Sequence, residues 1–385
     1  MPNNEKRKLF NFFPKKLSAD LEKKDKRNIL IFKYTTSLIL FVVAGALLVW
    51  MQDESPIEAV KGIWKGSFGS LTAFGNTLRW AAPSILTGAA AIVAFKAGVN
   101  NLGIEGQVAI GGFVAGILGV FFEFPPVVHI LFILICATLS GLLWSVIPAI
   151  LRLFFKVDEF ITTMMMNYVA NYLTQYLVQQ VLAGGLDNWG YVNMASTPTI
   201  NGSAYLPDFI PDTTATLAVP VAFLISFAIA FLYRYTVEGY ELKQVGENLK
   251  FAKAGGVKVV QQYLIIFLLS GAIAGLCGGI EVLGTYHKFN NGFAANMGWE
   301  GISIARIAEL NPVGLIFVGF IWGVLKAGSM QMERMVGVNR LTVQIVEYMF
   351  VLFISIDYEG IYMRHKDRKN KKAYLESHKE ASNNA

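Results

Sequence analysis

Apolar residues in this chain come in long runs divided by short polar stretches, the pattern of a polypeptide that crosses a bilayer repeatedly. A span needs about 20 mostly apolar residues, fewer where it is short or kinked. The runs at 29–50, 77–95, 107–123, 126–151, 159–182, 214–234, 259–283, 298–310, 312–332 and 341–358 are the candidates. Nine are clear. The run at 298–310 is short and holds Arg306 and Glu309, so by itself it reads as a re-entrant half-helix. The first run follows about 30 polar residues and lacks a small-residue cleavage site, which predicts an uncleaved anchor and not a removed signal.

Basic residues orient these spans, because loops rich in Lys and Arg stay cytoplasmic. The stretches Lys6–Lys33 and Arg364–Lys379 and the segment 236–258, with Lys243, Lys250, Lys253 and Lys258, are expected inside. The stretch 183–213 holds Asp187, Asp208 and Asp212 without a base and is expected outside. Two cytoplasmic termini require an even number of crossings, so 298–310 counts as the tenth. An internal repeat agrees: N-L-G-I-E-G at 101–106 matches N-M-G-W-E-G at 296–301, and L-T-G-A-A-A at 86–91 matches L-S-G-A-I-A at 269–274. Five spans per repeat is odd, so the halves are inverted, an arrangement that places substrate between them near the midplane. The expectation is an all-α polytopic membrane protein of about ten helices in two inverted five-helix halves. Residues 1–28 form a basic tail, 29–360 the membrane domain and 361–385 a second basic tail. The pairs Gly112–Gly116, Gly271–Gly275–Gly279 and Gly319–Gly323 have the spacing that lets helices approach closely.

Composition agrees with this picture. Of 385 residues, 54% are hydrophobic and 16% charged, against roughly 25% charged in an ordinary soluble domain. No Lys or Arg occurs from Val157 to Tyr233, while the first 33 residues carry ten and the last 22 carry seven. The net charge of +6 therefore describes tails beside anionic lipid and says nothing of nucleic acid. Cys136 and Cys277 lie in apolar runs, and the four histidines have no ligand spacing, so neither a disulfide nor a metal site is expected.

Polar residues inside the spans carry the candidate chemistry. In A-G-V-N-N-L-G-I-E-G-Q at 97–107, glycines let the helix unwind, and Asn101, Glu105 and Gln107 either cap the break or face a substrate. The second motif adds Asn296, Trp299 and Glu300; the indole could stack on a planar ligand or mark the interface. Arg306 and Glu309, three residues apart, are expected to neutralise each other on one helix. Asn167 and Asn171, one turn apart, are further lining candidates, with an interhelical hydrogen bond as the other role open to Asn167. The cytoplasmic segment predicts a short helix over about 247–254, where Gly246, Glu247, Asn248, Ala252, Ala254 and Gly255 present a low-profile surface to a partner groove.

No G-x-x-x-x-G-K-[ST] loop and no nucleophile–base set occur, so neither ATP binding of that kind nor an enzymatic role is expected, and no cofactor. The segments N-L-G-I-E-G-Q, V-D-E-F-I-T-T-M-M-M-N-Y-V-A (157–170), G-Y-E-L-K-Q-V-G-E-N-L-K-F-A-K-A-G-G-V and G-W-E-G-I-S-I-A…N-P-V-G-L-I-F, in order over roughly 75–330, resemble the branched-chain amino acid/ribose/nucleoside ABC permease family. The segment at 157–170 is most similar to its simple-sugar and nucleoside branch. The resemblance implies a type II-like importer fold in the cell membrane, a cytoplasmic ABC ATPase, a second permease subunit, homologous or identical, and an external substrate-binding lipoprotein. It implies import of a nucleoside, a purine one first, by alternating access, with ribose, another simple sugar or a branched-chain amino acid as alternatives. Arg306 and Glu309 depart from the family pattern. The rival from another class is an ion-coupled carrier in which Glu105, Glu300 and Glu309 titrate.

Overall fold

A computed structural model describes residues 15–182, 196–338, 340–354 and 356. The described residues are nearly all helical, and seven of their helices are long and apolar enough to cross a membrane. The stretch 183–195, part of the expected external segment, and the expected C-terminal tail lie outside them, as do parts of the N-terminal tail and of the last expected span. The chain divides into two compact units, 1–56 with 338–385, and 57–337.

The first unit pairs α1 (Lys15–Trp50) with α13 (Arg340–Ile354). Helix α1 starts at Lys15, well before its apolar run at 29, because Lys, Glu and Leu through that stretch are strong helix formers. Gln52 Nε2 donates to Thr342 Oγ1 at 2.9 Å, tying the end of α1 to α13.

The second unit holds α2 (Pro56–Phe68), α3 (Leu71–Lys96), α4 (Ile104–Phe121), α5 (Pro126–Phe155), α6 (Glu159–Tyr176), α7 (Ala218–Tyr235), α8 (Val237–Glu247), α9 (Leu249–Ala254), α10 (Val259–Glu281), α11 (Met297–Ile307) and α12 (Pro312–Val336). Helix α2 was not expected: with Gly62, Gly66, Lys61 and Lys65 its 13 residues form no apolar run, yet the glycines seat it on Met332 and Gln331 of α12. Helix α3 is the central post, with 89% of its most apolar stretch buried, whereas α5 shows 22% and is peripheral. Helix α10 runs antiparallel to α3: Ser270 Oγ donates to Ala90 O at 2.9 Å, and Cys277 lies against Pro83 O. A Cβ on Gly275 would strike Ala137 O and the Gly141 backbone, so the absence of a side chain there sets the α10–α5 spacing.

The segment 236–258 is two helices where one was expected. Thr236 caps α8 by accepting from Gly239 N (3.0 Å), and Asn248 caps α9 by accepting from Phe251 N (3.0 Å). Leu242 of α8 is fully buried among Ala94, Ala97, Ala149, Ile266 and Phe267, so the segment is fastened beneath α3, α5 and α10. Helix α9 spans Leu249–Ala254, close to the expected 247–254.

Candidate functional site

Two interrupted helices meet in the second unit. Helix α3 ends at Lys96, the chain doubles back without regular structure through Val99–Leu102, and α4 starts only at Ile104. Val99 N bonds back into α3 at Ala94 O (3.0 Å), and the buried backbone groups after it need partners of another kind. Side chains supply them. Leu102 N donates to Thr163 Oγ1 (3.1 Å), Leu102 O accepts from Asn167 Nδ2 (2.9 Å), and Gly106 N donates to Asn167 Oδ1 (2.8 Å). Gly103 N donates to Asn101 Oδ1 (2.9 Å), while Asn101 Nδ2 donates to Ser270 Oγ (2.9 Å) and Gln107 Oε1 (3.2 Å). A Cβ on Gly106 would strike the Asn167 backbone at 2.9 Å, so glycine is what lets the amide of α6 reach in.

The second interruption follows α10. A π turn (Val282–Tyr286) ends that helix, the chain returns through 287–296, and α11 starts at Met297. This return is laced to 196–200 by Phe289 N to Thr197 Oγ1 (3.0 Å) and Ile200 N to His287 O (2.9 Å). Asn296 takes a left-handed backbone, φ 67°, just before α11, and its N–H donates to Glu105 Oε2 at 3.1 Å. A Cβ on Gly298 would stand 2.7 Å from Glu105 N, so the starts of α4 and α11 abut. Each start carries a carboxylate in its first turn, Glu105 and Glu300, where helix dipoles favour negative charge.

Glu300 does not stand alone. Lys326 Nζ of α12 lies 2.6 Å from Glu300 Oε2 and 4.9 Å from the Trp80 ring centroid. The Arg79 guanidinium lies 3.8 Å from the same ring, and its Nη2 is 3.3 Å from Glu281 Oε2 at the end of α10. Side-chain exposures are 9% for Arg79, 2% for Glu281, 19% for Lys326 and 11% for Glu300, so both pairs are largely shielded. A crevice of about 10 Å³ lined by Trp80, Ser84, Thr87, Met297, Glu300 and Lys326 opens beside the second pair; that is room for about one water.

The eight residues singled out as lining candidates thus separate. Asn101, Gln107 and Asn167 are buried, with both amide ends used inside the chain, so their geometry is that of a seam. Glu300 is held by Lys326, and Glu105 is half-buried against Asn296. Asn296 and Trp299 are exposed, and Asn171 is half-buried. Arg306 and Glu309 do not share a helix, contrary to expectation. Helix α11 stops at Ile307, Glu309 follows with φ 52°, and Arg306 lies 4.7 Å over Phe95. Of the coupling candidates, Ala252 is buried within the chain, while Gly246, Glu247, Asn248, Ala254 and Gly255 are exposed beside Phe251.

Sequence reasoning missed Arg79, Trp80, Glu281 and Lys326, although the three charges stood inside predicted spans, which is itself a signal. It also missed the outward face of α6. Tyr168, Tyr172 and Tyr176 recur every fourth residue there and are 56%, 69% and 58% exposed. Helix α6 is not among the seven helices apolar enough to cross a membrane, because Thr162, Thr163, Asn167, Asn171, Thr174 and Gln175 dilute it.

Comparison with known proteins follows the same segments. The model of the family described as branched-chain amino acid transport system / permease component matches residues 73–355. The guanosine ABC transporter permease protein NupP of Bacillus subtilis is 32% identical over 323 residues, 84% of this chain and 92% of that protein. The glucose ABC transporter permease protein TsgB13 of Haloferax volcanii is 30% identical over 326 residues, 83% and 85% of the two chains. The nucleoside ABC transporter permease protein NupB of Lactococcus lactis is 24% identical over 328 residues, 84% and 90%.

Proposed function

We propose that this chain, which belongs to the family of branched-chain amino acid transport system permease components, carries nucleosides into the cell as the membrane subunit of an ATP-driven importer. That it is an ABC importer permease, embedded in a membrane by several apolar helices, follows from the family and the helices themselves. The nucleoside is the finer step. Two relatives are named for guanosine or nucleosides and one for glucose.

The observation that carries the substrate reading is the tyrosine face of α6. Phenol hydroxyls at mid-helix find no partner in hydrocarbon, so a row of them suits a wet path better than lipid. At 1.5 Å per residue the three rings repeat at about 6 Å, a ladder on which a planar base can stack in steps. Asn171 and the exposed Asn296 and Trp299 lie on the same reading along the path, with Glu105 at its narrow point. The fold on this reading is ten crossings in two inverted halves, whose interrupted helices α4 and α11 meet at the centre, with residues 29–360 as the membrane domain. Both termini, including the tails 1–28 and 361–385, face the cytoplasm, and 183–213 lies outside.

On the same reading a cytoplasmic ATPase takes hold of α9 through Phe251, Ala254, Gly255 and the neighbouring Gly246, Glu247 and Asn248. A second permease closes the path, an external lipoprotein delivers substrate, and ATP binding drives alternating access. The test is uptake of labelled guanosine and of labelled glucose by cells carrying the complete importer. Guanosine uptake that falls about tenfold or more in Tyr172→Ala, with surface expression unchanged, supports the reading. Uptake of glucose alone, or guanosine uptake indifferent to Tyr168→Ala and Tyr172→Ala, refutes it.

A further inference from the structure

Two ion pairs drawn from four helices converge on Trp80, and the path along α6 gives them no task. Arg79 and Trp80 belong to α3, Glu281 to α10, Glu300 to α11 and Lys326 to α12. We infer that Arg79, Glu281, Glu300 and Lys326 form a charge lock that positions the start of α11 against α4 and α10, and that transport proceeds through its release.

Stability does not account for such a cluster. Shielded ion pairs lose in desolvation about what they gain in attraction, and packed apolar groups in their place are often neutral or stabilising. One pair also falls short of an optimal geometry: Arg79 meets Glu281 through Nη2, at 3.3 Å, and its buried Nη1 has no hydrogen-bond partner among the described residues. Lys326 acts electrostatically on Glu281 as well as on Glu300. Glu281 therefore has a second cation in range, and Lys326 a second carboxylate, which is what a device with two pairings needs.

Charge balance links the lock to the junction of the interrupted helices. Glu105, Glu281 and Glu300 bring three negative charges, and Arg79 and Lys326 bring two positive ones. The abutting starts of α4 and α11 each supply about half a positive charge, which leaves the whole near neutral. Withdrawing α11 from α4 would strip Glu105 of the Asn296 N–H and upset this balance, so the junction opens at low cost only if the pairs rearrange with it. The crevice beside Glu300 and Lys326 offers the first space for that.

The inference rests on the importer reading and not on which substrate is carried. The test uses the complete importer in proteoliposomes, with uptake of labelled guanosine or glucose measured beside ATP hydrolysis. The doubly neutral variant Glu300→Gln with Lys326→Met keeps side-chain volume and removes both charges. It is expected to assemble with an unchanged melting temperature while uptake per ATP falls about tenfold. The exchanged pair Glu300→Lys with Lys326→Glu is expected to recover most of that loss. Wild-type uptake per ATP in the neutral variant overturns the lock, as does failure of that variant to assemble, which would make the pair structural. An exchanged variant no better coupled than the neutral one overturns it too. If the wild type carries neither probe, the substrate reading fails separately. The lock is then read from ATP hydrolysis, where the neutral variant is expected to lose its dependence on the external binding protein, and retained dependence overturns it.

Discussion

The two interrupted helices carry nearly the same motif, N-L-G-I-E-G and N-M-G-W-E-G, and are held by different physics. At the first, neutral groups do the work: Asn101, Gln107, Thr163, Asn167 and Ser270 close a buried network that pairs Leu102 N, Leu102 O, Gly103 N and Gly106 N. At the second, neutral bonds lace the return to 196–200, but the start of α11 is held by charge, through Glu300 with Lys326 and through Glu105 on Asn296 N. A satisfied neutral network has one good arrangement and makes a rigid seat. Ion pairs in a partly shielded site have several, at similar energy. On the charge-lock inference the first interruption is the fixed side of the junction and the second the side that moves.

That contrast can be broken by substitution. The largest effect is expected from Arg79→Leu, which leaves Glu281 shielded and without its ion-pair partner, with only the Lys326 charge beyond hydrogen-bond reach. Removing one member of a buried pair costs ~3–5 kcal/mol, so the melting temperature in detergent should fall steeply and little assembled protein should remain. A variant as stable as wild type would mean that Glu281 is neutral without its partner, and the charged side of the comparison would fail.

Next comes Asn167→Ala, which orphans Leu102 O and Gly106 N. Each unsatisfied buried group costs ~1–3 kcal/mol in proteins generally, although hydrogen bonds between membrane helices average nearer 0.6 kcal/mol. The expected outcome is a lower yield of folded protein with normal uptake per folded molecule. Normal yield with lost uptake would return Asn167 to the substrate path and weaken the case for a rigid seat.

A smaller loss is expected from Gly298→Ala, whose Cβ would crowd Glu105 N at 2.7 Å. Overpacking of this kind costs ~1–3 kcal/mol when neighbours cannot yield. On the mobile side they can, so the variant should fold and lose transport rate. Gly106→Ala, on the rigid side, should lose folded protein instead. Equal behaviour of the two would erase the distinction.

The smallest effect concerns pH. His287 begins the return after α10 and stacks on Tyr205 at 4.0 Å, and burial holds its imidazole below the ordinary value. Folding therefore favours the neutral ring. Its contribution is complete above the ordinary pKa of about 6.5 and shrinks as pH falls below it, since the released segment takes the proton first. Hydrogen exchange in 287–296 should quicken between about pH 7 and pH 5, beyond the intrinsic rate, and His287→Gln should remove that dependence.

Much of this was legible in the sequence. Long apolar runs located the helices because a bilayer demands unbroken backbone pairing, and small residues at four-residue spacing marked where α10 and α12 are approached closely. The glycines and amides of 97–107 announced an interrupted helix, since unwound backbone among apolar residues needs just such partners. Less legible was α2, whose lysines and glycines leave no apolar run to mark it until Gly62 and Gly66 are seen against α12.

What the sequence determined by itself is the membrane class, the family segments, the order of the long apolar helices and the two places where they break. Those properties follow from local composition and short-range spacing. Only the tertiary structure decided which groups meet at the breaks. Arg79 and Glu281 are 202 residues apart, Asn101 and Ser270 169, and Asn296 and Glu105 191. A charge in an apolar run states that it needs a partner, but the partner is chosen by how helices pack, and packing is set by many weak contacts that no single stretch of sequence contains.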